Sequence, residues 1–233
     1  MEFRQLFDPG TSTYTYLLVD EGSREAVLID PVDTQVERDA AVLTELHCTL
    51  VWVLETHIHA DHITGSARLR ARFGGQHVVG ENAGMEGVCR RVQQGETITF
   101  GGCELEVRLT PGHTPGCVTY VDHVGARAFT GDALLIQGCG RTDFQGGDAA
   151  TLYASVHGQI FTLPSATTVY PGHDYKGRTH STVGEEKAHN PRLGGGRDLA
   201  SFQTIMGNLG LSAPGRIREA VPANLRGGAP EGS

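Results

Sequence analysis

Hydrophobic and polar positions alternate along this chain in short runs, and the runs are mostly strand-like. Residues 14–19 (YTYLLV) and 26–29 (AVLI) are β-rich stretches separated by a Glu-Gly-Ser turn, which predicts a hairpin. Asp30-Pro31 breaks the second run. Over residues 34–46, Val36, Ala40, Leu43 and Leu46 recur at helical spacing. The continuous run VWVL at 51–54 is what a strand buried on both faces requires. The polar stretch 55–62 follows, then a helix through about Phe73 whose buried side would be Ile63, Ala67 and residues 69–71. Further strands are predicted at 76–79, 97–100, 104–109, 118–121, 128–130 and 169–170. Asp148 is placed to cap a helix running to about Phe161, and 182–189 and 199–209 read as the last helices. Strands outnumber what a doubly wound fold needs. The expected class is therefore α/β of the α+β kind, with two mixed β-sheets packed face to face and helices outside.

Composition narrows this further. With 39% hydrophobic residues among 233, the chain can build a large core and is not a disordered one. Its 32 glycines follow no Gly-X-Y period and suggest tight turns between short strands. A single domain over residues 1–226 is expected, followed by a mobile Gly/Pro-rich tail, 227–233 (GGAPEGS). A net charge of −8 without a basic cluster argues against nucleic acid or an anionic membrane as partner. No run of about 18 apolar residues could span a bilayer, and the N-terminus lacks an export-signal pattern. The cysteines, Cys48, Cys89, Cys103, Cys117 and Cys139, are odd in number and form no CxxC pair. Reduced thiols in the cytoplasm are the expectation.

The chemistry is concentrated in histidines and aspartates. His57-Ile58-His59-Ala60-Asp61-His62 puts four metal-competent side chains into six residues. In an extended segment His57 and His59 point the same way, and an Asp61 that opened the following helix would turn back with His62 toward the same point. His113 in TPGHTPG, Asp132 in FTGDALL and His173 in YPGHDY each follow a strand-like run and sit among glycines or prolines that fix sharp turns. Imidazoles and carboxylates offered from several strand ends suit a borderline divalent metal. A single histidine beside glycine is ordinarily a turn or surface residue. That reading is given to His47, His77, His123, His157, His180 and His189.

These motifs, THIHADH, PGHTPG, TGD and PGHD, resemble the metallo-β-lactamase superfamily, and the resemblance runs from Tyr14 to about Arg226. It implies an αββα sandwich with metals at the sheet edges. Two branches compete, glyoxalase II thioester hydrolases and persulfide dioxygenases. The segments DALLIQGCGRTDFQGGDAATLYASVHGQIFTLP and HDYKGRTHSTVGEEKAHNPRL, with IMGNLGL and AVPANLR after them, resemble the dioxygenases. A glyoxalase II would be expected to carry a longer helical C-terminal part and a Lys where Arg141 stands.

All seven ligands of a two-metal site are present, and counting them alone would predict two ions sharing Asp132. The resemblance implies instead one Fe(II) per chain, held by His57, His113 and Asp132 as a 2-His-1-carboxylate set. His59, Asp61, His62 and His173 would then surround that set and orient it. It further implies oxidation of glutathione persulfide (GSSH) by O2 to sulfite and glutathione, with no protein nucleophile. The runner-up is hydrolysis of a glutathione thioester at a dinuclear site. For the glutathione end Arg141 has the planar fork that suits a carboxylate, although an ion pair with Asp143 or Asp148 is the alternative. Tyr175 matches a tyrosine near glutathione in both branches, and Arg192 is a weaker third choice. Cys117 and Cys139 read as small buried hydrophobes, and a homodimer is expected by analogy.

Overall fold

A computed structural model of the chain describes residues 1–86 and 90–229; Cys89 and the last four residues of the expected tail lie outside them. Six strands, β1 (Glu2–Asp8), β2 (Thr13–Val19), β3 (Glu25–Ile29), β4 (Thr49–Leu54), β5 (Gln76–Gly80) and β6 (Arg90–Val92), form one sheet in chain order. The first three pair antiparallel and the last four parallel. Parallel neighbours need crossovers. Helices α1 (Val36–Glu45) and α2 (Ser66–Phe73) supply two of them.

The second sheet contains β7 (Thr97–Phe100), β8 (Cys103–Leu109), β9 (Val118–Asp122), β10 (Arg127–Gly131), β11 (Thr168–Pro171) and β12 (Ser181–Thr182). Only β10 and β11 pair parallel, and α3 (Ala149–Ser155) lies in the connection between them. Helices α4 (Val183–His189), α5 (Leu199–Gly207) and α6 (Ile217–Leu225) follow.

Side-chain parity along the strands makes the layers. Tyr14, Tyr16 and Leu18 of β2, with Val27 and Ile29 of β3, face the second sheet and pack on Phe100, Leu105, Val107, Tyr120 and Phe129. The intervening Leu17, Val19, Ala26 and Leu28 face the other way, against Val36, Ala40 and Leu43 of α1 and Leu69 of α2. Val121, Ala128 and Val169 cover the outer face of the second sheet against Leu152, Phe202 and Met206. The order is helix, sheet, sheet, helix, as expected from the strand-rich pattern.

Asp148 caps α3 as predicted, its carboxylate accepting the Thr151 amide at 2.7 Å. Other expectations shift. The helix after the histidine cluster begins at Ser66, so Asp61 lies in the loop before it and does not open it. Ala71, assigned to the buried side, is exposed. The edge strands β1, β6 and β12 and helix α6 were not foreseen. Pro222 sits inside α6, where a proline ordinarily argues against a helix. At its end the Gly227 and Gly228 amides donate to Asn224 and Ala223 carbonyls at 2.9 Å each, so the first two residues assigned to the tail close this helix. No helix among the described residues is long and apolar enough to cross a membrane.

Candidate metal centre

The seven predicted metal-competent side chains meet at one edge of the sandwich, each delivered by the segment after a strand. The loop 55–65 after β4 brings His57, His59, Asp61 and His62, the loop between β8 and β9 brings His113, and the ends of β10 and β11 bring Asp132 and His173. They separate into two groups whose ligand atoms lie within 4.8 Å of one another. One is His57, His113 and Asp132; the other is His59, Asp61, His62 and His173. The rings are crowded. Centroids are 4.1 Å apart for His57 and His59, 4.9 Å for His57 and His113, and 4.2 Å for His59 and His62.

Each ring is held from behind. Thr56 Oγ1 lies 3.0 Å from His57 Nδ1 and donates to Asp30 at 2.7 Å, while the Thr56 amide also donates to that carboxylate. His113 Nδ1 is 2.7 Å from the carbonyl of Arg141. Both histidines therefore turn their remaining ring nitrogen, Nε2, toward Asp132, whose Oδ2 is 3.8 Å from His113 Nε2. Close packing of backbone on the site requires small residues. A Cβ at Gly172 would lie 2.7 Å from Asp132 Oδ1, and Gly131, at φ +50°, leaves room that a Cβ would take from Thr56.

His173 bridges the two groups, with Nδ1 2.8 Å from Asp132 Oδ1 and Nε2 3.0 Å from Asp61 Oδ2. Burial opposes charge on this ring, but the two carboxylates outweigh it and hold its pKa well above the usual value. Burial would likewise raise both aspartates, yet His173 and the neighbouring imidazoles pull Asp61 and Asp132 below the ordinary carboxylate range. His57 is driven well below its usual pKa by burial and by His59, and His59 falls to about 3 through burial and His62. Of these rings His57 and His59 are thus kept neutral beside anionic carboxylates, the protonation states a cation needs, whereas His173 is held charged between Asp61 and Asp132.

The donors fit a metal on a further count. His59 Nδ1 and His62 Nε2 are buried without a hydrogen-bond partner, an arrangement that costs free energy unless something electrophilic meets them. Sequence reasoning missed Asp30 and Glu55. Asp30 was read only as a strand break, and Glu55 only as part of a polar stretch. Both are buried, and their carboxylates lie 3.2 and 3.7 Å from His59 Nε2. It also misjudged His77, which is buried with its Nε2 3.1 Å from Glu55.

A cavity of about 700 Å³ opens over His57, His113 and Asp132 and is walled by Tyr175, Arg141, Arg178 and the loop near Leu211. Tyr175 is 72% exposed, its ring parallel to His173. Arg141 forms the ion pair that was its alternative reading. Its Nε and one terminal nitrogen donate to Asp143 at 2.6 and 2.8 Å, and the terminal nitrogens also reach the carbonyls of Ser212 and Leu211. Arg192 donates to the Cys139 carbonyl at 2.7 Å. Cys117 and Cys139 are buried, as expected.

The model of the metallo-beta-lactamase superfamily matches residues 8–173. Over 226 residues the chain is 54% identical to persulfide dioxygenase ETHE1, mitochondrial, of Homo sapiens, which covers 97% of this chain and 88% of the human protein. This chain belongs to the metallo-beta-lactamase superfamily, in its persulfide dioxygenase branch. The crystal structure of ETHE1 from Myxococcus xanthus superposes with a TM-score of 0.95 at 51% identity, covering 98% of this chain and all of that one. The glyoxalase side of the superfamily is more distant. A probable hydroxyacylglutathione hydrolase of Schizosaccharomyces pombe is 34% identical, over 89% of this chain and 91% of the yeast protein.

Proposed function

We propose that this chain is a non-heme Fe(II) persulfide dioxygenase that takes glutathione persulfide, O2 and water to glutathione and sulfite. Both oxygens of O2 and one from water end on the outer sulfur, which leaves as sulfite with release of two protons, while the inner sulfur departs as the thiol. One Fe(II) per chain would be held by His57, His113 and Asp132, where it would supply adjacent positions for persulfide and O2 and the electron exchange between them. The observation that carries this reading is the three-residue group itself: its two imidazoles have Nδ1 committed to Thr56 and Arg141, leaving Nε2 of each beside one carboxylate.

The surrounding residues perform the rest. His173 has both nitrogens engaged by Asp132 and Asp61, so it fixes Asp132 while His59, Asp61 and His62 complete the neighbouring cluster. One metal in place of two follows from the resemblance to the persulfide dioxygenases, since the neighbouring cluster also keeps unpaired donors, His59 Nδ1 and His62 Nε2. The cavity has the size of a small-molecule site and is ample for a tripeptide thiol. Tyr175 offers its exposed ring and hydroxyl at the mouth. A glutathione carboxylate reaching Arg141 would exchange with Asp143, and neighbouring Lys176 is exposed on the same wall. The free state of the described thiols, Cys48, Cys103, Cys117 and Cys139, suits a reducing compartment such as the cytoplasm.

Oxygen uptake with GSSH, coupled to sulfite release and to one iron per chain, is the test. Hydrolysis of S-lactoylglutathione with no oxygen consumed, or two metals per chain in the active protein, would overturn the proposal.

A further inference from the structure

The loop that carries four of the seven metal-competent residues has no regular structure of its own between β4 and α2. Its backbone must find hydrogen bonds elsewhere. Asp30, Val78 and Val118 serve its first residues and Pro31 and Asp33 its last, while the carbonyls of His59 and His62 and the amide of Thr64 are met from the far end of the chain. Asn224 of α6 is 2% exposed, and its side-chain amide is fully used. Nδ2 donates to the His59 carbonyl at 2.9 Å and to the His62 carbonyl at 2.8 Å, while Oδ1 accepts the Thr64 amide at 2.8 Å. The orientation of the amide is fixed by this pattern, since flipping it would set an oxygen against two carbonyls and an NH2 against a donor.

The rest of α6 supports the same contact. Val221 and Leu225 pack on Ile58, the residue between His57 and His59, and on Met85. The Leu225 carbonyl accepts the Glu86 amide at 2.7 Å. Past the helix end, a Cβ at Gly228 would lie 2.5 Å from the Thr64 carbonyl, so only glycine lets the chain approach the loop this closely. Glu55 closes the back of the same loop, with its carboxylate accepting from Thr64 Oγ1 and facing His77.

We infer that Asn224 is a positioning residue for the metal centre: by tying the carbonyls of His59 and His62 and the amide of Thr64, while its helix packs on Ile58, it fixes the course of the loop that presents His57, and so makes metal retention depend on the C-terminal helix. The inference rests on the metal reading above. Residues that hold a metal ligand from outside commonly alter affinity by about 10- to 100-fold when replaced. Here the action passes through backbone, and Asn224 itself touches no ligand side chain.

The test uses the full chain reconstituted with Co(II) alone, as a spectroscopic stand-in, and with Fe(II). Asn224→Asp keeps the shape and the acceptor for Thr64 but removes both donors and faces a carboxylate to two carbonyls; Asn224→Ala removes all three bonds. Leu43→Ala, in the distant core under α1, serves as a comparison that lowers stability without reaching the loop. We expect each Asn224 variant to bind metal at least tenfold more weakly in chelator competition and to show an altered Co(II) d–d spectrum, while Leu43→Ala keeps the wild-type affinity and spectrum. If Asn224→Ala does not fold, Asn224→Asp decides. Wild-type affinity and spectrum in a folded Asn224 variant, with only its Tm lowered, would overturn the inference and leave the metal reading standing. A wild-type chain that binds neither metal would overturn both.

Discussion

Gly140 is a clean place to disturb the site without deleting a ligand. Its amide donates to the Asp132 carbonyl at 2.7 Å. A Cβ added there would lie 2.6 Å from that carbonyl oxygen and 2.8 Å from both Cγ and Nδ1 of His113. Carbon atoms pack best at about 3.5–4.0 Å, so the ring or the backbone must retreat by roughly 0.7 Å. Its φ is outside the left-handed region, so Gly140→Ala adds a steric displacement and no backbone strain. Overpacking of this kind costs about 1–3 kcal/mol, and in a chain of this size each kcal/mol lowers Tm by roughly 2–4 °C. Activity should suffer more than stability. Misplacing a reacting group by about 1 Å can cost 10²-fold, so oxygen uptake with GSSH should fall by roughly 30- to 100-fold. Gly158→Ala, where an added Cβ meets nothing within 4 Å, should leave both quantities unchanged. A Gly140→Ala protein with wild-type kcat/KM and iron content would refute the assignment of His113 to the working centre.

Iron content should separate the two groups of side chains: His113→Ala should lose the metal and the activity, whereas His62→Ala should keep one iron per chain with reduced turnover, both read by elemental analysis. Asp39 offers a pH test remote from the site. It is buried, and burial, only partly offset by Arg38, lifts its pKa from 3.8 to about 6. The folded state therefore binds the proton more tightly than the unfolded one, and stability is highest below the unfolded value and declines as pH rises from about 4 through 6, by up to roughly 3 kcal/mol. Asp39→Asn should flatten that decline in denaturant titrations at pH 5 and 8; an unchanged slope would contradict it. Burial pushes the thiols of Cys117 and Cys139 to about 12 and 11, so alkylation of the folded protein at pH 8 should spare both until the chain is unfolded.

The metal-competent residues were readable because their signal is local. HxHxDH, and a His or Asp flanked by glycine and proline after a strand, announce themselves within a few positions. The strand character of β2 and β3 was equally plain, because YTYLLV and AVLI are dense in β-branched, aromatic and aliphatic residues; their burial on both faces was foreseen only for VWVL at 51–54. What failed to show is whatever depends on distant partners. Asn224 bonds residues 160 or more positions away, and nothing around it marks an asparagine as buried. His77 looked like any exposed histidine until Glu55, 22 residues earlier, came to face it. Arg141 was legible in both of its readings. Its chemistry was right for a carboxylate, but the one it meets is Asp143, two residues on.

Arg141 also connects two regions that a chemist would otherwise treat separately. Its backbone oxygen steadies the imidazole of His113, while its side chain grips the carbonyls of the rim at Leu211 and Ser212. The entrance of the chamber and one imidazole on its floor thus share one residue as their common anchor.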